Sequence, residues 1–494
     1  MGKLPRRLVI SGLATLAVTA GLAIAGSGAP LPTLGHAATQ ARPNVLVIET
    51  DDQTLESMKM MTNVNSLIGD QGATFRRNYT NFSLCCPSRA TFMTGQYMHN
   101  HGVFGNKAPT GGFGRFENLH ADNNLAVWLR NAGYYTALVG KYLNGYSNQP
   151  RVPPGWSEWH ATAPDDQKVY DYTLNNGGTL VRYGQNPADF KQDVLSNKAV
   201  DFVNRRAPKA QPFFLWLTYS APHIAFGTSP NPPSNCDNAA VPAPRHAHAF
   251  DSEPLPMSPN FNEADVSDKP QQIQELPRLD SGGISFQLRR YRCELESLLS
   301  VDEGVKAVVD ALVAAGELNN TMIIYTSDNG FFHGEHRIPG YKLRLYEEST
   351  RVPLEMRGPG IPRGVNISEL AINADLAPTI LDAANATAGL TIDGRSLIPV
   401  SQNPGIAQGR QLLLEQPNHW KTYPNVPGFD AIRTGRYIYA EHTNGEKELY
   451  DLQIDPYELQ NRNNDPGYAA VRADLATRLH QLQDCAGVSC RATP

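Results

Sequence analysis

Residues 85–95 combine two adjacent cysteines with a proline and an arginine at the predicted start of a helix. Pro87 has no N–H to lose at a first helical position, so a helix beginning near Pro87 and ending near Gly95 is expected. Its free N–H groups and positive dipole end would face Cys85, and Arg89 would add a positive charge within one turn. A thiol in that environment can act as a nucleophile beside a bound anion, although the same residues also fit a turn before a short buried helix.

Polar side chains follow four predicted strands that are far apart in the chain. The apolar runs that predict these buried strands cover residues 44–49, 135–139, 213–219 and 322–326. The polar residues at their C-terminal ends are Asp51 and Asp52, Lys141, His223, and Asp328 and Asn329. Ligands of open α/β sheets bind beyond the C-terminal ends of strands, so these side chains are predicted to form one catalytic edge. Taken singly, each also fits a solvated turn or a surface residue.

Length and charge restrict the classes of protein to consider. The 494 residues exceed the usual size of one domain, so a large core and a smaller second core are expected. With 18% charged residues and a formal net charge of −5, the chain lacks the basic excess of a nucleic-acid-binding surface. We therefore expect a globular protein with no nucleic-acid partner.

The N-terminal segment has the pattern of an export signal. Basic residues precede an apolar run over residues 8–25, and the small residues before Ala38 suit cleavage. We therefore expect residues 1–38 to be a signal peptide and the protein to be exported, by the general or the twin-arginine route. An uncleaved anchor is the less favoured alternative, because Ala, Gly and Thr make this run a weak membrane span.

Six cysteines in an exported chain predict disulfide bonds. The predicted pairs are Cys236 with Cys293 and Cys485 with Cys490. Cys85 and Cys86 remain, and adjacent cysteines rarely bridge because the geometry is strained. Two unpaired cysteines at the suspected site fit an enzyme, and a bridge from either to another cysteine is the alternative.

The string around Cys85 resembles the signature of the sulfatase family, Cys-x-Pro-Ser-Arg followed by Leu or Met and then Thr-Gly. The matching fixed positions are Cys85, Pro87, Ser88, Arg89, Met93, Thr94 and Gly95. The double cysteine and residues 98–101 are most similar to the branch that includes N-acetylglucosamine-6-sulfatases and heparan endosulfatases. The resemblance covers nearly all of the mature chain. It implies an alkaline-phosphatase-like α/β fold, with a large mixed sheet flanked by helices and a small C-terminal antiparallel-sheet subdomain.

The resemblance also implies roles for individual residues. Cys85 matches the cysteine that a formylglycine-generating enzyme oxidises to formylglycine, whose hydrated aldehyde is the nucleophile. The residues that match divalent-metal ligands are Asp51, Asp52, Asp328 and Asn329, with modified Cys85 completing the shell. All-oxygen ligation favours Ca²⁺, with Mg²⁺ as the alternative. The other matched residues are Arg89, which holds the formylglycine hydrate, the two lysines Lys141 and Lys342, and His223, which faces the leaving oxygen.

One position departs from the family pattern. Many sulfatases carry a histidine two residues after the first lysine, where this chain has Leu143. The base for the sulfate-release step is therefore open. His333 and His336 are the candidates, and a structural role is an equal alternative for each.

Outside the site, the patterns predict further elements. Residues 224–292 are expected to form an irregular segment at the substrate rim, and residues 300–315 an amphipathic helix. Other predicted helices cover residues 375–384 and 469–482, and predicted short strands lie near residues 411–414, 437–439 and 448–450. The expected organisation is a signal peptide over 1–38, a catalytic domain over 42–399 and a C-terminal subdomain over 400–494.

These patterns together predict an exported sulfatase that hydrolyses aryl or carbohydrate sulfate monoesters and has no stable membrane anchor. Two alternatives stay open. A phosphomonoester or phosphodiester hydrolase on the same fold could use the same metal and a similar nucleophile. A non-catalytic protein that binds sulfated glycans would keep Cys85 as a thiol. Fold analogy is a weak guide to the substrate.

Overall fold

The predicted catalytic edge belongs to a ten-stranded mixed sheet. The computed structural model describes residues 42–147, 150–163, 167–225, 236–405, 409–418, 426–491 and 493. The predicted signal peptide lies outside the described residues. The strands are β1 Asn44–Asp51, β2 Ala73–Phe75, β3 Asn78–Tyr79, β4 Tyr135–Gly140, β5 Glu158–Thr162, β6 Thr173–Asn176, β7 Thr179–Arg182, β8 Phe213–Pro222, β9 Thr321–Ser327, β10 Leu354–Arg357, β11 Val365–Ile367, β12 Ala371–Ile372, β13 Leu412–Gln416, β14 Phe429–Arg433, β15 Tyr437–His442 and β16 Lys447–Asp451.

Helices cover both faces of this sheet. They are α1 Thr62–Val64, α2 Cys85–Thr94, α3 Met98–His101, α4 Gly112–His120, α5 Leu125–Asn131, α6 Lys191–Arg206, α7 Gln271–Gln274, α8 Ser281–Ala314, α9 Glu347–Thr350, α10 Leu376–Ala384, α11 Ile398–Gln402 and α12 Ala469–Leu482. Along β1, Val45 packs in the core that includes α2 and α5, whereas Leu46 packs in the core that includes α6 and α8. This alternation explains why β1 is apolar from Val45 to Ile48, since both of its faces are buried.

The order of strands brings the predicted edge together. Across the large sheet the order is β11-β2-β10-β9-β1-β8-β4-β5-β6-β7. Strands β9, β1, β8, β4 and β5 are mutually parallel neighbours, so their C-terminal ends lie at one edge. Antiparallel pairing begins outside this group, at β10 on one side and β6 on the other.

A separate antiparallel sheet follows in the C-terminal part of the chain. Strands β13 to β16 pair in sequence order, and α12 contributes Leu475 and Leu479 to the core beneath them. The sequence predicted three of these strands but not β14. The predicted disulfides Cys236–Cys293 and Cys485–Cys490 are both present.

The predicted boundary of the long helix was wrong. Helix α8 begins at Ser281, where the Asp280 side chain accepts a hydrogen bond from the Gly283 amide at 2.8 Å. The segment predicted to be irregular therefore ends about twelve residues early. The buried face of this first part of α8 contains Gln287, Arg290 and Glu294, so the apolar repeat that marks a helix is missing there. Among the residues that the structure describes, no helix is both long enough and apolar enough to span a bilayer.

Candidate active site

Helix α2 holds Cys85 at its N-terminus. Leu84 is the extended residue before the helix, and the Ser88 amide donates to its carbonyl at 2.9 Å, so Cys85 is the first helical residue. The helix thus begins two residues before the predicted start. Pro87 takes the third position, where a missing N–H still breaks no intrahelical bond. Gly95 follows the last turn with a φ of 66°, which confirms the predicted end of the helix.

The Cys85 side chain is buried among charged groups. Its thiol donates to Asp51 Oδ1 at 3.4 Å, and its sulfur accepts a hydrogen bond from Lys342 Nζ at 2.9 Å. Burial, reinforced by the charge of Asp51, raises the pKa of the thiol well above its usual range. The unmodified side chain is therefore a neutral thiol despite its place at a helix N-terminus, and a neutral thiol is a weak nucleophile.

The polar residues from four strands meet at the sheet edge. Asp51 ends β1, Lys141 follows β4, His223 follows β8 and Asp328 follows β9, and these strands are adjacent in the order β9-β1-β8-β4. The Asp52 amide donates to Asp328 Oδ1 at 3.3 Å, which ties two of the strand ends directly. The structure thus brings together groups that lie up to 277 residues apart in the sequence.

Three buried cations pair with the three buried aspartates. The pairs are Lys141 with Asp51, Lys342 with Asp52, and Arg89 Nε with Asp328 Oδ2 at 2.8 Å. Burial alone would raise the pKa of Asp51, but Lys141, His223 and Lys342 outweigh it and hold that pKa far below its usual range. Asp51 is therefore ionised at neutral pH although it is buried.

Oxygen donors converge at the same point. Asp52 adopts a φ of 68°, a left-handed conformation that few residues other than glycine adopt, and Asn329 Nδ2 donates to its Oδ1 at 2.6 Å. One potential ligand atom from each of Asp51, Asp52, Cys85 and His223 lies within 4.8 Å of the others. The predicted ligand Asp328 is not in this group, and its Oδ1 instead accepts the Asp52 amide at 3.3 Å. The buried oxygens of Asp51, Asp52 and Asn329 are of the type that suits a hard divalent cation.

His223 presents one ring nitrogen to this cluster. Its Nδ1 donates to the Ile224 carbonyl at 2.7 Å, and because a carbonyl only accepts, Nδ1 carries a proton. Its Nε2 lies 3.7 Å from Asp52 Oδ2. The side chain is 14% exposed, so Nε2 is the nitrogen that can exchange a proton with a ligand.

The two histidines considered as a base have other partners. His333 Nε2 lies 2.6 Å from Glu294 Oε2. His336 is engaged at both ring nitrogens, with Glu263 at 2.7 Å and Asn260 at 3.1 Å. Leu143, the position at which the sequence departs from the expected histidine, is buried in the apolar core. These contacts favour structural roles for both histidines.

Glu49 is a site residue that sequence reasoning missed. Its Oε2 accepts a hydrogen bond from Trp216 Nε1 at 3.0 Å and lies 3.4 Å from Arg89 Nη1. Burial raises the pKa of Glu49 to about 7, although Arg89 opposes the shift. The one signal in the sequence was an acidic residue at the end of an otherwise apolar strand.

Known proteins and family models match almost the whole chain. The model of the sulfatase family matches residues 43–386, and a model described as N-sulphoglucosamine sulphohydrolase, C-terminal, matches residues 334–485. The chain is 32% identical to N-acetylglucosamine-6-sulfatase of Homo sapiens, over 94% of this chain and 88% of that relative. It is 37% identical to an extracellular sulfatase Sulf-1 homologue of Caenorhabditis elegans, over 72% of this chain but only 48% of that longer relative.

A solved structure has the same architecture. It is the structure of a protein in complex with its substrate, D-glucosamine-2-N,6-O-disulfate, and it matches with a TM-score of 0.73 and 25% sequence identity. The match covers 90% of this chain and 97% of that chain. The predicted fold class is therefore confirmed, with its large mixed sheet, flanking helices and small antiparallel sheet.

Proposed function

The chain belongs to the sulfatase family, and we propose that its substrate is a sulfated carbohydrate and its nucleophile an oxidised form of Cys85. The human relative is named for a 6-sulfated amino sugar, and the solved neighbour binds a sulfated glucosamine, which supports this class of substrate. The observation that carries the proposal is the position of Cys85. It is the first residue of α2 and lies within hydrogen-bonding distance of both Asp51 and Lys342.

Oxidation of Cys85 to formylglycine would supply a hydrated aldehyde, in which one hydroxyl can attack sulfur and the other can later expel sulfate. Asp51 is ionised, so its carboxylate accepts the hydrogen bond of the residue-85 side chain and orients that side chain. Lys342 and the N-terminal amides of α2 stabilise negative charge on the same group. Arg89 Nη2 is buried with no hydrogen-bond partner among the described residues, so it can donate to the second hydroxyl.

Positive charge surrounds the position of the transferring group. A divalent cation, Ca²⁺ with Mg²⁺ as the alternative, would be held by Asp51, Asp52, Asp328 and Asn329 and would supply positive charge to the sulfate oxygens. Lys141 and Lys342 add two ammonium groups that are almost fully buried. Because water is largely excluded, their charges act at low dielectric on the developing negative charge.

His223 is suited to protonate the leaving alcohol. Its Nδ1 is committed to the Ile224 carbonyl, which leaves Nε2 to carry the transferable proton. The carboxylate of Asp52 faces this nitrogen, with Oδ2 3.7 Å from Nε2. This arrangement gives His223 the role of general acid for an alkyl leaving group.

Maturation and location complete the proposal. We expect a formylglycine-generating enzyme to act on Cys85 and residues 1–38 to direct export. The name of the nematode relative, an extracellular sulfatase, supports export.

Two measurements test the proposal. Mass spectrometry of the Cys85 peptide distinguishes an aldehyde from a thiol, and paired kinetics with a sulfate ester and its phosphate analogue identify the preferred ester. We expect an aldehyde and a preference for sulfate. Faster phosphate hydrolysis would favour the hydrolase of the same fold. An intact thiol in an inactive protein that still binds the sulfated sugar would favour a non-catalytic binder.

A further inference from the structure

Arg290 is a buried cation with incomplete neutralisation. It lies in the part of α8 that the sequence did not predict, and the residue is only 6% exposed. Its Nε lies 3.5 Å from Glu294 Oε1 and has no hydrogen-bond partner among the described residues. Glu294 is shared, because its Oε2 is 2.6 Å from His333 Nε2. Although burial opposes it, Glu294 raises the pKa of His333. One carboxylate therefore contacts both the Arg290 guanidinium and the His333 imidazole.

The loop that carries the proposed catalytic groups surrounds this guanidinium. Residues 328–342 contribute Asp328 and Asn329 at one end and Lys342 at the other. Between them, the ring centroid of Phe331 lies 4.2 Å from the guanidinium carbon of Arg290. A Cβ at Gly340 would lie 2.2 Å from Arg290 Nη1, so the glycine leaves the room that the guanidinium needs.

Arg290 also lies within electrostatic reach of the site. Burial lowers the pKa of Arg290, and the charges of Glu294 and Asp52 oppose that shift. Asp52 is the same residue that His223 faces at 3.7 Å. The guanidinium contacts Phe331 and the space beside Gly340, and each of these lies two residues from a proposed site residue, Asn329 or Lys342. Arg290 therefore packs against the loop that holds both site residues.

We infer that Arg290 is a specificity-determining residue that binds a second anionic group, a sulfate or carboxylate, on the alcohol portion of the substrate. The inference rests on the proposed function and narrows it to sulfated saccharides with a further negative charge. A guanidinium suits this role because it can donate two parallel hydrogen bonds to a planar or tetrahedral oxyanion. A ligand anion would also complete the neutralisation that Glu294 provides only in part.

The test compares glucosamine 6-sulfate with glucosamine-2-N,6-O-disulfate as substrates. Arg290→Gln should lower kcat/KM for the disulfate about 10- to 100-fold, mainly through KM, because a charged hydrogen bond is lost. The monosulfate should change by less than about 3-fold, since it makes no contact with residue 290. Arg289→Gln is the matched control, because this neighbouring arginine is half-buried and lies over Phe286 instead. It should leave both values unchanged.

Equal losses on both esters would overturn the inference and assign Arg290 to support of the loop. Unchanged selectivity in Arg290→Gln would overturn it as well. Arg290→Lys keeps the charge without the two parallel donors, and it should retain part of the selectivity. If Arg290→Gln does not fold, Arg290→Lys is the variant to compare with the wild type.

Calorimetry separates this inference from the proposed function. With Cys85→Ala, the disulfate should bind more tightly than the monosulfate, and adding Arg290→Gln should remove that difference. Such binding without any sulfatase activity in the wild type would overturn the proposed function and support the role of Arg290. Activity without any difference in affinity would support the proposed function and overturn the role of Arg290.

Discussion

The ammonium nitrogen of Lys342 lies 2.9 Å from the sulfur of Cys85, although the two residues are 257 positions apart. The same ammonium pairs with Asp52, so one lysine links the helix N-terminus to the carboxylates at the sheet edge. A single buried cation therefore contacts both the proposed nucleophile and a proposed metal ligand. This relationship makes residue 85 the most informative position to alter.

Cys85→Ser should abolish sustained turnover. Serine offers one hydroxyl and no route to the aldehyde by thiol oxidation, so an attack on sulfur leaves a sulfate ester that no second hydroxyl can expel. Mass spectrometry after long incubation with substrate should find a stable sulfate on the residue-85 peptide. Cys86→Ser is the matched control and should be far milder, since Cys86 occupies the variable position of the family signature and its side chain packs in the apolar core rather than against Asp51 or Lys342. Normal turnover by Cys85→Ser would refute the mechanism.

Removal of one proposed metal ligand should lower activity and also abolish the stabilisation of the protein by the metal ion. Asp328→Asn keeps the shape of the side chain but removes the charge that pairs with Arg89 at 2.8 Å. We expect activity to fall by orders of magnitude. Ca²⁺ should raise the melting temperature of the wild type after chelation but not that of the variant. Asp310→Asn, on the exposed end of α8, is the control. Full activity in metal-free wild type would contradict the proposed site.

Substitution of His223 should depend on the leaving group. His223→Gln removes the proton donor, and we expect a loss of about 10²- to 10⁴-fold on an alkyl sulfate. The loss should shrink on an activated aryl sulfate, whose leaving group needs little protonation. Steady-state kinetics on both esters provide the measurement. Equal losses would indicate that His223 binds substrate rather than protonating it.

A buried carboxyl group on β10 should make stability depend on pH. Burial raises the pKa of Glu355 from 4.5 to about 7. Because the folded-state pKa is the higher one, its contribution is most favourable below pH 4.5 and is lost as the pH rises through 7. Between these two limits of pH, the free energy of unfolding should fall by about 3 kcal/mol because of this group. Urea unfolding measures the free energy of unfolding of Glu355→Gln and of the wild type at each pH. The variant should be more stable relative to the wild type at about pH 8 than it is at about pH 5. A gain that is the same at both pH values would contradict this origin.

The central strands were predictable because their apolar runs are long and each is followed by polar residues. The start of α8 was not, because Gln287, Arg290 and Glu294 occupy positions on its buried face. Side-chain pairs between distant elements, such as Arg290 with Phe331, could not be predicted, because no regular spacing in the sequence indicates them. The proposed boundary of the catalytic domain near residue 399 stays a prediction.

Because Cys85 is buried in the folded protein, its proposed oxidation has to take place before the chain folds. The residue is 1% exposed in the folded protein, so a modifying enzyme has no access to its sulfur there. Lys342, which contacts that sulfur, is synthesised 257 residues later. Both neighbours of strand β1 in the sheet, β8 and β9, are likewise synthesised after it. At about 5–20 residues per second, translation of those 257 residues takes roughly 10 to 50 seconds. The proposed oxidising enzyme would have to act before the closing segments are in place.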